Sequence, residues 1–325
     1  MKNSLVRQAL MLWLPLVATY VIVLLLVQAN IIDAYMQVTL ATICINIVLA
    51  ASLNLITGFT GQFSLGHAGF MAIGAYSTAL VSMRWDSVFG FLGGLLLGGV
   101  LAALVGFLIG LPTLRLRGDY IAIATLGMAE IIRILLQNFE FTNGAAGLSP
   151  VPQYMDWTWF FILTVGSVML ISNFIRSRQG RDAIAVREDE IAAESIGVNT
   201  TRSKVLAFAI GAFFGGIAGG MYASYFYVIK PEQFGFLKSV DILVIVVLGG
   251  LGSLSGSVIA AFLLAIISTL LQPFPGVRMI LYALLLIIIM IFRPQGLLGN
   301  RELSLRLLPR FGRRREAAAS GTEEA

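Results

Sequence analysis

Long apolar stretches separated by short polar joints make up most of this chain. They fall at roughly 9–28, 35–57, 66–83, 88–111, 118–138, 157–175, 205–229, 240–251, 254–271 and 277–293. Most approach the ~20 residues that an α-helix needs to cross a hydrocarbon core of ~30 Å. A surface helix of a soluble protein would carry a polar stripe at a period of ~3.6, and most of these stretches have none. The pattern predicts an all-α, polytopic membrane protein with about 10 transmembrane helices. Segment 240–251 yields only ~18 Å of helix, too short to cross alone. Either it is a half-helix, or 240–271 is a re-entrant hairpin and the crossings number about 8. The apolar stretch from Ala9 to Val27, behind Lys2 and Arg7, exceeds the ~7–15 residues of a secretory signal core and reads as a retained first helix.

Two glycine-rich breaks interrupt the apolar pattern, "TGFTGQFSLGHAG" at 57–69 and "LGGLGSLSGS" at 248–257. Broken helices at membrane depth need protein or a water-filled cavity to satisfy the freed backbone, and in transporters they often lie near the pathway. Close helix packing is the other use of such glycines. In 205–229, Gly211, Gly215 and Gly219 recur every four residues and form a small-residue stripe. That spacing lets helix backbones approach closely, within this chain or against a second subunit.

Charge sets the orientation. With the N-terminus inside, the inner joints hold Arg115 and Arg117 at 112–117, and six basic residues at 176–204. The tail adds seven arginines from Arg293 to Arg315, whereas joints 29–34 and 139–156 have no Lys or Arg. The positive-inside rule therefore places both termini on the cytoplasmic side. The chain is 58% hydrophobic and 12% charged, against about 25% charged in a soluble domain. Its net charge of +5 gathers beside the spans and in the tail, which points to lipid headgroups rather than nucleic acid. A single cysteine, Cys44, and a single histidine, His67, leave no disulfide framework and no metal-ligand cluster.

No Gly-Lys pair exists, so the chain has no phosphate-binding loop for ATP, and no HExxH or GxSxG motif occurs. No catalytic residue is assigned. Ionisable groups within the spans are few, and each costs ~2.5–3.5 kcal/mol at a helix centre. Glu130 and Arg133 are three residues apart and share a helix face, either neutralising each other or lying beside a translocation path. His67 follows a glycine break and reads as a hydrogen-bonded structural residue, with the path as its alternative. Asp119, and Asp241 at the start of its short helix, are placed to cap or complement helix N-termini.

The joint 176–204 is the longest inner connection, with six basic and five acidic residues. A lipid-binding joint would be polybasic; mixed charge suits a protein partner. Ile184, Ile191 and Val198 recur at sevens, with Arg187, Glu188, Asp189, Glu190 and Glu194 on other faces. Gly197 is placed to end a helix with a left-handed cap, and Thr200 or Thr201 to cap the next span. The expectation is one or two short helices under the membrane, polar face outward. A solvated linker is the alternative.

"GRDAIAVREDEIAAESIGVNTTRSKVLAFAIGAFFGGIAGGMYA" (180–223) resembles the cytoplasmic coupling loop and following helix of LivM-type permeases of bacterial branched-chain amino-acid ABC importers. "LNLITGFTGQFSLGHAGFMAIGAYSTA" (53–79), "LRGDYIAIATLGMAEIIRIL" (116–135), "TNGAAGL" (142–148), "VLGGLGSLSGSVIAA" (247–261) and "RPQGLLG" (293–299) are similar to the same family. The resemblance implies a bacterial inner-membrane permease domain over 1–300, a sister permease, two cytoplasmic ATPase subunits that bind ATP and Mg, and a periplasmic binding protein. It implies that Ala183 to Gly197 contacts an ATPase and that this chain needs no cofactor of its own. Urea or short amides are alternative cargoes within the family, and an ion-coupled secondary transporter is the rival outside it. Residues 301–325 read as a basic juxtamembrane segment and a disordered end.

Overall fold

The computed structural model describes residues 17–29, 32–113, 116, 118–270 and eight positions between 280 and 299. Residues 1–16, most of the predicted span 277–293 and the tail 301–325 lie outside the described residues.

Within the described residues the chain is helical, with a single isolated bridge between Leu148 and Ile229. The helices are α1 (Val17–Gln28), α2 (Ala34–Asn54, continued by a π-turn over Leu55–Phe59), α3 (His67–Arg84) and α4 (Val88–Thr113). They continue with α5 (Asp119–Asn138), α6 (Trp157–Arg176), α7 (Arg178–Glu188) and α8 (Glu190–Ser195). The last are α9 (Thr200–Ala223), α10 (Phe236–Gly249) and α11 (Leu254–Leu270). Four helical stretches are long and apolar enough to cross a membrane: 34–59, α4, α6 and α9.

Helix α9 is the centre of the bundle. In lipid, apolar surface gains nothing by leaving its surroundings, so helices associate through close packing of small residues. The α9 stripe does this inside the chain. A Cβ on Gly219 would lie 1.9 Å from the Met71 carbonyl oxygen of α3, and one on Gly211 2.6 Å from Ile56 Cδ1. A Cβ on Gly215 would sit 3.1 Å from His67 Nε2. One position further round α9 the contact is with α4, where a Cβ on Gly216 would be 2.9 Å from the Gly98 carbonyl oxygen. This stripe is therefore a contact within the chain, and the second-subunit alternative is excluded for it.

Both ends of α9 differ from the sequence expectation. Its cap is Asn199, whose Oδ1 accepts from the Arg202 N–H at 2.9 Å, so Thr200 and Thr201 lie within the first turn. The helix stops at Ala223 rather than running to 229 because the next residues pair with the segment before α6. Leu148 and Ile229 exchange N–H···O bonds of 3.0 and 3.1 Å, and the Val151 N–H donates to the Tyr227 carbonyl at 3.1 Å. Backbone bonding to a distant strand-like segment leaves no signal in apolar periodicity.

Helices α10 and α11 form an antiparallel hairpin around Gly250 and Gly252, whose φ values of +114° and +88° suit glycine alone. The far end of α11 returns to the beginning of α2, where Tyr35 Oη donates to the Thr269 carbonyl at 3.2 Å.

Gly219→Ala is expected to lower the thermal midpoint of the detergent-solubilised protein, because backbone must shift and overpacking costs about 1–3 kcal/mol. Gly127→Ala, where a Cβ would meet nothing within 4 Å, should leave the midpoint unchanged or raise it.

Candidate functional site

The two glycine breaks are one place. Asn54, fully buried at the end of α2, binds across the turn of the α10–α11 hairpin with both ends of its carboxamide. Its Nδ2 lies 2.9 Å from the Ser253 carbonyl, 3.3 Å from the Gly250 carbonyl and 2.7 Å from Ser257 Oγ, while its Oδ1 accepts from the Gly252 N–H at 2.8 Å. Gly58 makes room for this knot, since a Cβ there would fall 1.8 Å from Asn54 Oδ1 and 2.3 Å from the Gly252 nitrogen. Gly296 and Leu297 close on the same turn, with the Leu297 N–H donating to the Leu248 carbonyl at 2.9 Å.

Polar side chains gather around the knot. His67 is fully buried at the start of α3, with Nε2 2.7 Å from Ser52 Oγ, in keeping with a hydrogen-bonded residue. Thr57 Oγ1, both polar atoms of the Gln62 carboxamide and His67 Nδ1 are buried with no hydrogen-bond partner among the described residues. Sequence reasoning passed over Asn54 and Gln62. An Asn in an apolar run, next to a glycine break and with a second break elsewhere, was the available signal.

The segment 176–204 is two helices and a sharp bend. Ser177 Oγ accepts from the Gly180 N–H at 3.2 Å and starts α7. The Asp189 carboxylate accepts from the Ile191 and Ala192 N–H groups at 2.9 and 3.0 Å and starts α8. Gly197, at φ +88°, ends α8: its N–H donates to the Glu194 carbonyl and that of Val198 to Ala193.

Because Asp189 is extended, α8 does not continue the helical phase of α7, and the repeat at sevens does not make one stripe. Ala183, Val186 and Ala193 are buried and Ile184 packs against the core, whereas Ile191 and Ile196 are 79% and 78% exposed. The outward face is thus not purely polar. It presents two isoleucines among Glu188, Glu194 and Asp189.

Two contacts fix the pair to the bundle. Lys204 Nζ of α9 lies 2.6 Å from Glu190 Oε1. Arg187 Nη1 donates to the Gly58 carbonyl at 2.7 Å, while its Nε donates to Glu188 Oε1 at 3.1 Å. A Cβ on Gly61 would touch Arg187 Cγ at 3.0 Å, so two of the four glycines of the first break, Gly58 through its carbonyl and Gly61 through its missing side chain, meet this one arginine.

The remaining charged positions lie apart from the knot. Arg133 Nε is 2.6 Å from Glu130 Oε2, and both side chains are partly exposed on α5. Asp119 is the first residue of α5 and makes no side-chain cap bond; Gly118 occupies the cap position. Asp241 lies more than a turn inside α10, which begins at Phe236, so it does not cap that helix.

Residues 35–292 match the family model described as "Branched-chain amino acid transport system / permease component". The chain belongs to that family. The permease is 39% identical to the high-affinity branched-chain amino acid transport system permease proteins LivM of Salmonella typhimurium and of Escherichia coli K12. Each match covers 81% of this chain and 70% of the relative. It is 26% identical to the corresponding LivH protein of Escherichia coli K12, over 78% of this chain and 91% of the relative. No solved structure matches this permease.

Asn54→Ala would strand the Gly252 N–H at the hairpin turn of the permease, while the Gly250 and Ser253 carbonyls keep backbone donors from Ser253 and Ser257. The expected loss is about 1–3 kcal/mol of stability, read as a lowered thermal midpoint and faster proteolysis at the 250–253 turn.

Proposed function

We propose that this chain is the membrane permease subunit of an ATP-driven importer of branched-chain amino acids in a bacterial inner membrane. It works beside a sister permease, two ATPase subunits and a periplasmic binding protein. Residues 1–300 form the permease domain and 301–325 a basic tail against lipid. Membership of the family supports the cargo and the sister subunit, since relatives of both LivM and LivH type share this sequence pattern. The antiparallel α10–α11 hairpin supports a re-entrant element and hence about eight crossings, with both termini inside as the charge distribution requires.

The observation that carries the mechanism is the Arg187–Gly58 bond. Nucleotide-driven movement of an ATPase reaches the permease through α7 and α8, with Ile191 and Ile196 as apolar anchors and the acidic residues setting register. Arg187 hands that movement to the break in α2. Gly58 stands against Asn54 and Gly252, so the same displacement reaches the α10–α11 turn. Bonds to a charged donor are worth about 1.5–3 kcal/mol, enough to make this a stiff joint. The Glu130–Arg133 pair supports a neutralised structural element rather than an ion relay.

In proteoliposomes holding the assembled complex and its binding protein, Ile191→Asp with Ile196→Asp should release the ATPase subunits and abolish ATP-dependent leucine uptake. Arg187→Met should keep the ATPases bound but lower uptake at least about tenfold, the loss expected when one charged hydrogen bond is removed. Full uptake by both variants would refute this coupling route, and uptake of urea in place of leucine would reassign the cargo.

A further inference from the structure

A cleft of about 270 Å³ lies between α1, α2 and α6, where α1 ends and α6 begins. Helix α1 rests on α6 nearby, with Tyr20 Oη 3.0 Å from Thr158 Oγ1 and the Tyr20 and Phe161 rings 5.1 Å apart. Leu24, Val27 and Leu40 give the cleft aliphatic surface, and Gln28, Asp156 and Trp157 give it polar groups.

Two of those polar groups are unmet. Asp156 stands at the cap position of α6, yet its carboxylate makes no cap bond, and no hydrogen bond or ion pair reaches it among the described residues. Trp157 Nε1 is a buried donor with no acceptor among them. A buried N–H left in that state costs about 1–3 kcal/mol. The N–H groups of the first turn of α6 also have no acceptor in their own helix, and a helix start of this kind favours an anion.

These groups ask for both charges on one ligand. The carboxylate takes a cation, and no lysine or arginine lines the cleft to supply one. The indole N–H and the helix start take an anion. A lone anion would meet the Asp156 carboxylate, and a lone cation would leave the donors unmet, so a zwitterion answers both. The location selects among zwitterions. Three apolar helices begin or end at the cleft, which puts it at headgroup level, where tryptophan and tyrosine gather. Its volume falls just below the ~300–1,000 Å³ of small-molecule sites, room for a headgroup whose chains stay in the bilayer.

We infer that this cleft binds the headgroup of a phosphatidylethanolamine from the leaflet that meets the start of α6. The ammonium donates to the Asp156 carboxylate, and the phosphate accepts from Trp157 Nε1–H and from the first-turn N–H groups of α6. The chains leave along Leu24, Val27 and Leu40. The lipid thereby joins α1 to α2 and α6, a role separate from the transport reading above.

The test extracts the assembled complex from vesicles of equal phosphatidylethanolamine and phosphatidylglycerol and identifies retained lipid by native mass spectrometry. One phosphatidylethanolamine should survive detergent washing in preference to phosphatidylglycerol. Asp156→Asn should lower its retention at least about tenfold, the loss expected with one charged hydrogen bond, and erase the preference. Trp157→Phe should lower retention several-fold and keep the preference. Asp33→Asn, an exposed carboxylate of the neighbouring joint outside the lining, should change neither. Equal retention of both lipids by the unsubstituted complex, or retention that survives Asp156→Asn, would overturn the site. Displacement of the lipid by millimolar leucine would assign the cleft to a free amino acid instead and overturn the lipid.

Discussion

In hydrocarbon every backbone N–H and C=O must find its partner inside the protein, and this structure turns on how it meets that demand at two broken helices. The α10–α11 turn exposes the Gly250 and Ser253 carbonyls and the Gly252 N–H at the depth where α2 also unwinds. One carboxamide answers both ends of the need. Asparagine suits the task because it offers two donors and an acceptor from one short, neutral group. Aspartate would bring only acceptors and a charge, and leucine would leave the Gly252 N–H unsatisfied. The glycines nearby follow from the same constraint, since Gly58 is the clearance that lets Asn54 reach across.

That arrangement explains why a soluble-looking pair of helices is tied to the broken part of α2 by an arginine, alongside the Lys204–Glu190 pair that ties it to α9. The first break leaves the Gly58 carbonyl turned towards α7, and a guanidinium is the donor least troubled by partial burial, since it stays charged and spreads that charge over several N–H groups. Arg187 also holds Glu188 on the exposed side. One residue therefore bridges the solvent-facing acidic surface and the buried turn. The bend at Asp189 has a second effect: by resetting the helical phase it turns Ile191 outward, away from the lipid-facing bundle that an unbroken helix would have met.

Much of the fold was legible in the sequence because its two strongest signals are local. Apolar runs gave the helices to within a few residues wherever the structure describes them, and positional glycine gave the α8 cap at Gly197 and the α9 packing face. What escaped were the events decided by distant residues. The early end of α9 depends on pairing with Leu148 and Val151, and the joining of the two breaks depends on Asn54, nearly two hundred positions from its acceptors. The heptad-like recurrence of Ile184, Ile191 and Val198 misled for a related reason: a capping aspartate between them outweighed the periodicity. Asp241 was visible as a charge near the boundary of a short helix, but that helix begins four residues earlier than the apolar run, which places the carboxylate more than a turn inside it.

These features belong together for a reason particular to lipid. Two apolar helices that slide past one another in a bilayer lose little, because lipid tails replace the lost contacts almost equally well. The position of the α10–α11 hairpin is therefore governed less by its apolar flanks than by its polar attachments, at the Asn54 knot and at the Lys238–Asn46 contact on the same face of α2. The bundle around α9 is held differently, by glycine contacts with α3 and α4 so close that neither helix has room to shift.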